Sequence, residues 1–184
     1  MSETIEKRLS DLGVTIPAAA APAANYVPYC RTGNMLFTAG QLPLKDGKLQ
    51  AIGLLGRDID TAAGKEGAKF CAINILAQAK AALGDLEKIR RLVKITVFVA
   101  SAPDFLEQHL VANGASDFLV AVLGERGRHA RSAAAAKADS VFSQRVLFMS
   151  WKPRCATGCA ISQDRSDISG LIRLRRSLRF RPRR

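Results

Sequence analysis

The sequence predicts a two-layer α+β domain, with helices packed on one face of a mixed β-sheet. Three observations predict it. Residues 61–83 carry small and apolar side chains at helical spacing, residues 92–100 alternate with a period of two, and a second helical stripe lies between 103 and 124. Helices interleaved with strands over 184 residues fit one ordinary domain with a sizeable core.

The elements follow in order. Residues 3–12 predict a short helix with Ile5, Leu9 and Leu12 on one side. Pro17 to Ala24 reads as a linker, because both of its prolines resist continuing a helix. The body of the domain begins near Asn25. Thr32-Gly33-Asn34 is turn chemistry, Met35 to Ala39 has the composition of a buried strand, and Gly40 suits a close backbone approach. Asp46-Gly47 lies between Leu44 and Leu49, and both turn residues tolerate positive φ, so a hairpin is expected there.

The first long helix is capped by Asp60 or Thr61 and ends at Gly84. Its stripe of Ala68, Cys71, Ala72, Ile75, Leu76, Ala79 and Leu83 predicts a close approach to a sheet. In the strand that follows, Val93, Ile95, Val97 and Val99 are expected on one face, and Lys94, Thr96 and Phe98 on the other. The second helix is expected from Pro103-Asp104 to Gly124, burying Val111, Ala115, Phe118, Leu119 and Val122. Residues 141–151 have strand composition, but Arg145 and Lys152 interrupt them without a period. No stable structure is assigned to the seven arginines within 171–184.

Charge divides the chain. Residues 1–131 hold 16 Lys and Arg against 13 Asp and Glu, whereas residues 132–184 hold 12 against 3. A nearly neutral body is thus joined to a basic tail, and the tail alone suggests an arm that neutralises nucleic-acid phosphates without sequence preference. Phe180 is the one aromatic within its arginine cluster, which leaves little for base stacking. No apolar run is long enough to span a membrane, and acidic residues near the N-terminus replace the basic region of a secretory signal. A cytoplasmic protein with no membrane partner is expected.

Few catalytic groups are on offer. The spacing shows no Ser/His/Asp arrangement, metal-ligand cluster or phosphate-binding glycine loop, so no metal or cofactor is expected. Cys155 and Cys159 have no second pair to complete a zinc site. Cys71 reads as a buried small residue, and Cys30 beside Arg31 has only weak grounds for a lowered pKa. His109 and His129 read as structural or solvated rather than catalytic. Gly127 to Ala133 leaves two readings open. Arg128 and Arg131 among small residues either form a solvated basic loop or line a recess where a guanidinium grips a carboxylate.

At these residues the chain resembles the Rid family, the reactive intermediate deaminases, also called YjgF-like and formerly labelled endoribonuclease or translation inhibitor. Tyr26, the run Gly33 to Pro43, Val93 to Val99, Asn113 and Ala130-Arg131-Ser132 match in family order over residues 25–134. The resemblance implies a chorismate-mutase-like fold assembled as a homotrimer with active sites between subunits. It also implies hydrolysis of enamine and imine intermediates to a 2-keto acid and ammonia. By the same resemblance Arg131 holds the substrate carboxylate and is the catalytic candidate. Tyr26, Ala39, Gly40 and Asn113 bind substrate or the attacking water.

The departures bear on activity. Ala39 stands where well-studied members have a serine, and Ala133 where some have a cysteine. After Ala134 the two final family strands are unrecognisable, along with their acidic residue, and residues 135–184 read as an aberrant basic tail set after an N-terminal helix and linker (1–24) and the Rid-like domain (25–134). A shift of reading frame accounts for so abrupt an end. Three functions therefore stand: an imine deaminase, impaired or not, a noncatalytic trimeric carboxylate sensor, and a nucleic-acid binder or ribonuclease acting through the tail.

Overall fold

A computed structural model describes residues 3–136 and 144–153. Cys155, Cys159 and the arginine-rich segment 171–184 lie outside the described residues. In chain order the elements are α1 (Ile5–Asp11), β1 (Tyr29–Thr32), β2 (Met35–Thr38), β3 (Leu44–Lys45), β4 (Lys48–Leu49) and α2 (Thr61–Leu83). Then come β5 (Ile89–Ala100), α3 (Gln108–Leu123), β6 (Ala130–Ala136) and β7 (Gln144–Pro153). Five strands form one mixed sheet in the order β1-β2-β7-β5-β6, while β3 and β4 make a separate hairpin. Within the large sheet β5 and β6 run parallel, joined through α3, and the remaining neighbours are antiparallel.

The two long helices form where the sequence places them. Asp60 caps α2, its side chain accepting from the Ala63 N–H at 2.7 Å, and Gly84 ends the helix at a φ of 76°. The whole predicted stripe from Ala68 to Leu83 is buried, Cys71 included. The stripe of α3 is likewise buried, but the helix starts at Gln108 rather than at Pro103-Asp104. Residues ahead of it form a turn instead, in which the Phe105 N–H reaches the Ala102 carbonyl and the Gln108 side chain donates to Phe105 O and Ser101 Oγ.

In β5 the alternation is broken twice, between Ile89 and Leu92 and between Leu92 and Ile95. Ile89, Leu92, Ile95, Val97 and Val99 are buried beneath the helices, but Val93 is exposed. A register shift between Leu92 and Lys94 gives the inward place to Leu92, correcting the expected alignment of Val93 with Ile95. On the opposite face Met35, Phe37, Thr96 and Phe98 are only partly covered. One face of the sheet therefore carries the core, while the described residues on the other are only partly covered.

Two further expectations change. The strand β1 was not anticipated; it pairs with β2 around Gly33-Asn34. The anticipated loss of the last strands is also corrected, because β6 runs to Ala136 and β7 lies in the middle of the sheet between β2 and β5. Residues 144–153 therefore belong to the sheet and not to a tail. Main-chain groups carry this pairing on both edges, and they leave no hydrophobic period to be read. By contrast the Asp46-Gly47 hairpin forms as expected, with both residues at positive φ.

The N-terminal helix joins the same core. Ile5 and Leu9 are buried, and the Ile5 N–H donates to Glu87 Oε1 at 2.6 Å. Glu87 also accepts from Arg126 Nη2 at 2.9 Å, while Arg126 Nη1 reaches the carbonyls of Glu87 and Ile89. Burial alone would raise the Glu87 carboxyl, but the Ile5 amide and the Arg126 guanidinium outweigh it and hold it below the usual range. This clamp ties α1 to the start of β5 and to the turn before β6. Beyond α1, the predicted linker lies along the body, where Ala20 O accepts from Gln78 Nε2 at 2.8 Å.

Candidate active site

Arg131 is the second residue of β6, opposite Ile95 of β5, on the outer edge of the sheet beside α3. Asn113 and Ser116 are three residues apart on α3 and so share one helix face. Arg131 Nη1 donates to both, to Asn113 Oδ1 at 2.8 Å and to Ser116 Oγ at 3.1 Å. Ser116 Oγ in turn lies 3.1 Å from His129 Nε2, and His129 Nδ1 bonds to the Gly127 carbonyl. Burial lowers the pKa of His129; the Gly127 carbonyl opposes this and the Arg131 charge adds to it. The ring is therefore neutral near pH 7.

Two glycines make this geometry possible. A Cβ on Gly127 would fall 2.5 Å from the Leu119 carbonyl oxygen, so the turn before β6 can lie flush against α3 only without a side chain there. A Cβ on Gly114 would fall 2.0 Å from the Lys65 carbonyl oxygen, which sets how closely α3 approaches α2. Asn113 stands beside that contact. Helix packing thus fixes the position of the side chain that holds Arg131.

Among the described residues the guanidinium is held by two neutral acceptors, Asn113 and Ser116. Among the described residues, Nε and Nη2 of Arg131 make no hydrogen bond and no carboxylate pairs with the side chain. One edge of the planar fork is free, with its full charge, and that edge matches the two oxygens of a carboxylate. Arg131 itself is exposed at this edge, held against α3 by Asn113 and Ser116. Arg128 points elsewhere, donating to Glu125 at 2.9 Å.

The other candidates lie at a distance. Tyr26 is half exposed and its hydroxyl accepts from the Ala23 N–H. The Ala39 N–H reaches the Pro28 carbonyl at 2.8 Å, and Gln41 Nε2 holds the carbonyls of Ala39 and Gly40. These residues flank the end of β2. Through β7 and β5, Phe37 is level with Ala130 along the strand direction, yet three strand spacings separate β2 from β6, about 14 Å. A single chain therefore brings Arg131 and Asn113 together but not Tyr26, Ala39 and Gly40 with them.

Sequence reasoning did not find Ser116 and set His129 aside as structural or solvated. Their only sequence signal was Ser116 at i+3 from Asn113 and His129 at i−2 from Arg131, and neither spacing distinguishes a site from an ordinary surface. His109, on α3, is exposed.

Comparison with known proteins agrees with this architecture. Residues 6–149 match the family model described as "YjgF/chorismate_mutase-like, putative endoribonuclease". The Trypanosoma cruzi protein TCP17 is 47% identical over 133 residues, covering 72% of this chain and 83% of its own length. The crystal structure of Atu1372 from Agrobacterium tumefaciens, a protein of unknown function, is 50% identical with a TM-score of 0.76 over 82% of this chain and 92% of that one. A Shewanella oneidensis structure described as a "putative endoribonuclease" is 31% identical with a TM-score of 0.78, over 82% and 99% respectively. With a family model matching residues 6–149, most of its length, the chain belongs to the YjgF/chorismate-mutase-like family.

Proposed function

We propose that the protein is an imine and enamine deaminase that hydrolyses reactive 2-imino acids to 2-keto acids and ammonia. The free Nε–Nη2 edge of Arg131, held from behind by Asn113 and Ser116, carries this reading. In it the fork takes the substrate carboxylate and sets the neighbouring C=N carbon in place for attack by water. Water adds to that carbon, the C–N bond breaks, and nitrogen leaves as ammonia while the oxygen becomes the keto group. Arg131 binds and orients the substrate; it exchanges no proton.

The separation of the two half-sites supports a homotrimer with a site between subunits, in which Arg131 and Asn113 of one copy face Tyr26, Ala39 and Gly40 of the next. The partly covered face of the sheet supports the same arrangement, since Met35, Phe37 and Phe98 are incompletely covered in the single chain. Ala39, which brings no hydroxyl to the site, favours a second reading, a trimeric sensor that binds a carboxylate without turning it over.

Ammonia release from 2-imino acids generated in situ by an amino-acid oxidase separates the two. Arg131→Ala is expected to lower kcat/KM about 10- to 100-fold, the loss of charge-assisted hydrogen bonds to one carboxylate. Equal release by wild type and variant would refute the deaminase.

A further inference from the structure

We infer that Ser116 and His129 are positioning residues for Arg131, forming a neutral hydrogen-bonded relay that fixes the plane of its guanidinium. The inference rests on the deaminase reading for its effect on substrate, but the relay itself is set by the geometry of one chain.

The direction of each bond follows from what its atoms can do. The Gly127 carbonyl only accepts, so His129 Nδ1 carries the proton. In the neutral ring Nε2 is then an acceptor, and the Ser116 hydroxyl donates to it across 3.1 Å. That commits the only hydrogen of the hydroxyl and leaves its lone pairs to Arg131 Nη1, at 3.1 Å. Asn113 Oδ1 accepts at the same nitrogen. Two acceptors on one Nη define the plane of the fork and point its other edge outward.

Arg131 stands exposed on an edge strand, where a long side chain otherwise samples many rotamers. An acidic partner would restrain it more strongly, but that partner would also compete with the substrate carboxylate for the same charge. Neutral acceptors restrain the fork without discharging it. This is the chemical reason for a serine and a histidine here instead of an aspartate, and it makes the relay selective for anionic substrates.

The test uses the full-length protein and pairs of variants. Asparagine places an amide nitrogen where His129 has Nδ1, and glutamine places an oxygen where it has Nε2. His129→Asn therefore keeps the bond to Gly127 and loses the one to Ser116, and His129→Gln does the reverse. Ser116→Ala removes the hydroxyl and Ser116→Thr retains it. Exchange of the Arg131 guanidinium protons, followed by nitrogen-15 NMR without ligand, is expected to be at least about threefold faster in Ser116→Ala and His129→Asn than in wild type. The same two variants are expected to raise KM for in-situ 2-imino acids about three- to tenfold at unchanged kcat, the value of one hydrogen bond. Ser116→Thr and His129→Gln are expected to restore both readings. Unchanged proton exchange in Ser116→Ala and His129→Asn overturns the relay, and so does a fall in kcat at constant KM. Faster exchange with unchanged KM upholds the relay and overturns Arg131 as the carboxylate site.

Discussion

Replacing Gly114 by alanine inverts the usual sign of a helical glycine substitution. In an exposed helix interior, alanine is about 1 kcal/mol more favourable than glycine. Here its Cβ would meet the Lys65 carbonyl oxygen at 2.0 Å, the carbonyl carbon at 2.6 Å and Cα at 2.8 Å, where ordinary contact begins at 3.4 Å. All three atoms are main chain, so no rotamer change relieves the overlap. The helices must separate by up to about 1.4 Å, loosening buried Ala68, Ala72, Val111 and Ala115. Overpacking and the voids that open beside it cost about 2–4 kcal/mol, against the gain of about 1. The net expectation is a loss of about 1–3 kcal/mol, equivalent to a Tm lower by roughly 2–12 °C for a chain of this size. Urea unfolding at matched protein concentration measures it, with Ala121→Gly on the exposed side of α3 as the control for propensity alone. A Gly114→Ala protein as stable as wild type, or more so, would refute the close approach.

Two pH dependences follow from the same contacts. The Glu87 carboxyl titrates below its ordinary 4.5, so the clamp on α1 contributes fully above that pH and is lost as pH falls through the folded value. Urea midpoints of wild type and Glu87→Gln should therefore converge on acidification, and a constant gap between them would count against the clamp. His129 titrates below its ordinary 6.5, so the unfolded chain takes up a proton first as pH falls. Wild-type stability should drop more steeply below 6.5 than that of His129→Gln, and parallel curves would show that the ring is not held neutral.

What the sequence disclosed depended on how far each contact lies from the local pattern. Both long helices were legible because many residues repeat one period, from Ala68 to Leu83 and from Val111 to Val122, and because Asp60 and Gly84 mark the ends of the first. Val93 was assigned to the wrong face because register shifts on either side of Lys94 break the alternation and leave no composition signal. The central place of β7 was hidden for a similar reason, since Arg145 and Lys152 break a pattern that main-chain pairing does not need. At the site, the resemblance pointed to Arg131 and Asn113, and the structure joins them directly. Ser116 and His129 remained hidden because a contact between a helix and a turn depends on packing, which spacing alone does not encode.

The position of β7 also sets a timetable. Sheet order and chain order disagree, because the strand that joins β1-β2 to β5-β6 is the last of the seven to be synthesised. Roughly 100 residues separate the end of β2 from the start of β7, about 5–20 s at ordinary elongation rates. β2 keeps one unpaired edge throughout that interval, and β5 keeps one from its own completion at Ala100, so the nascent sheet is two fragments until β7 arrives. Chaperone capture and misassembly should act on the chain within that window. A ribosome pause placed ahead of residue 144 would lengthen it.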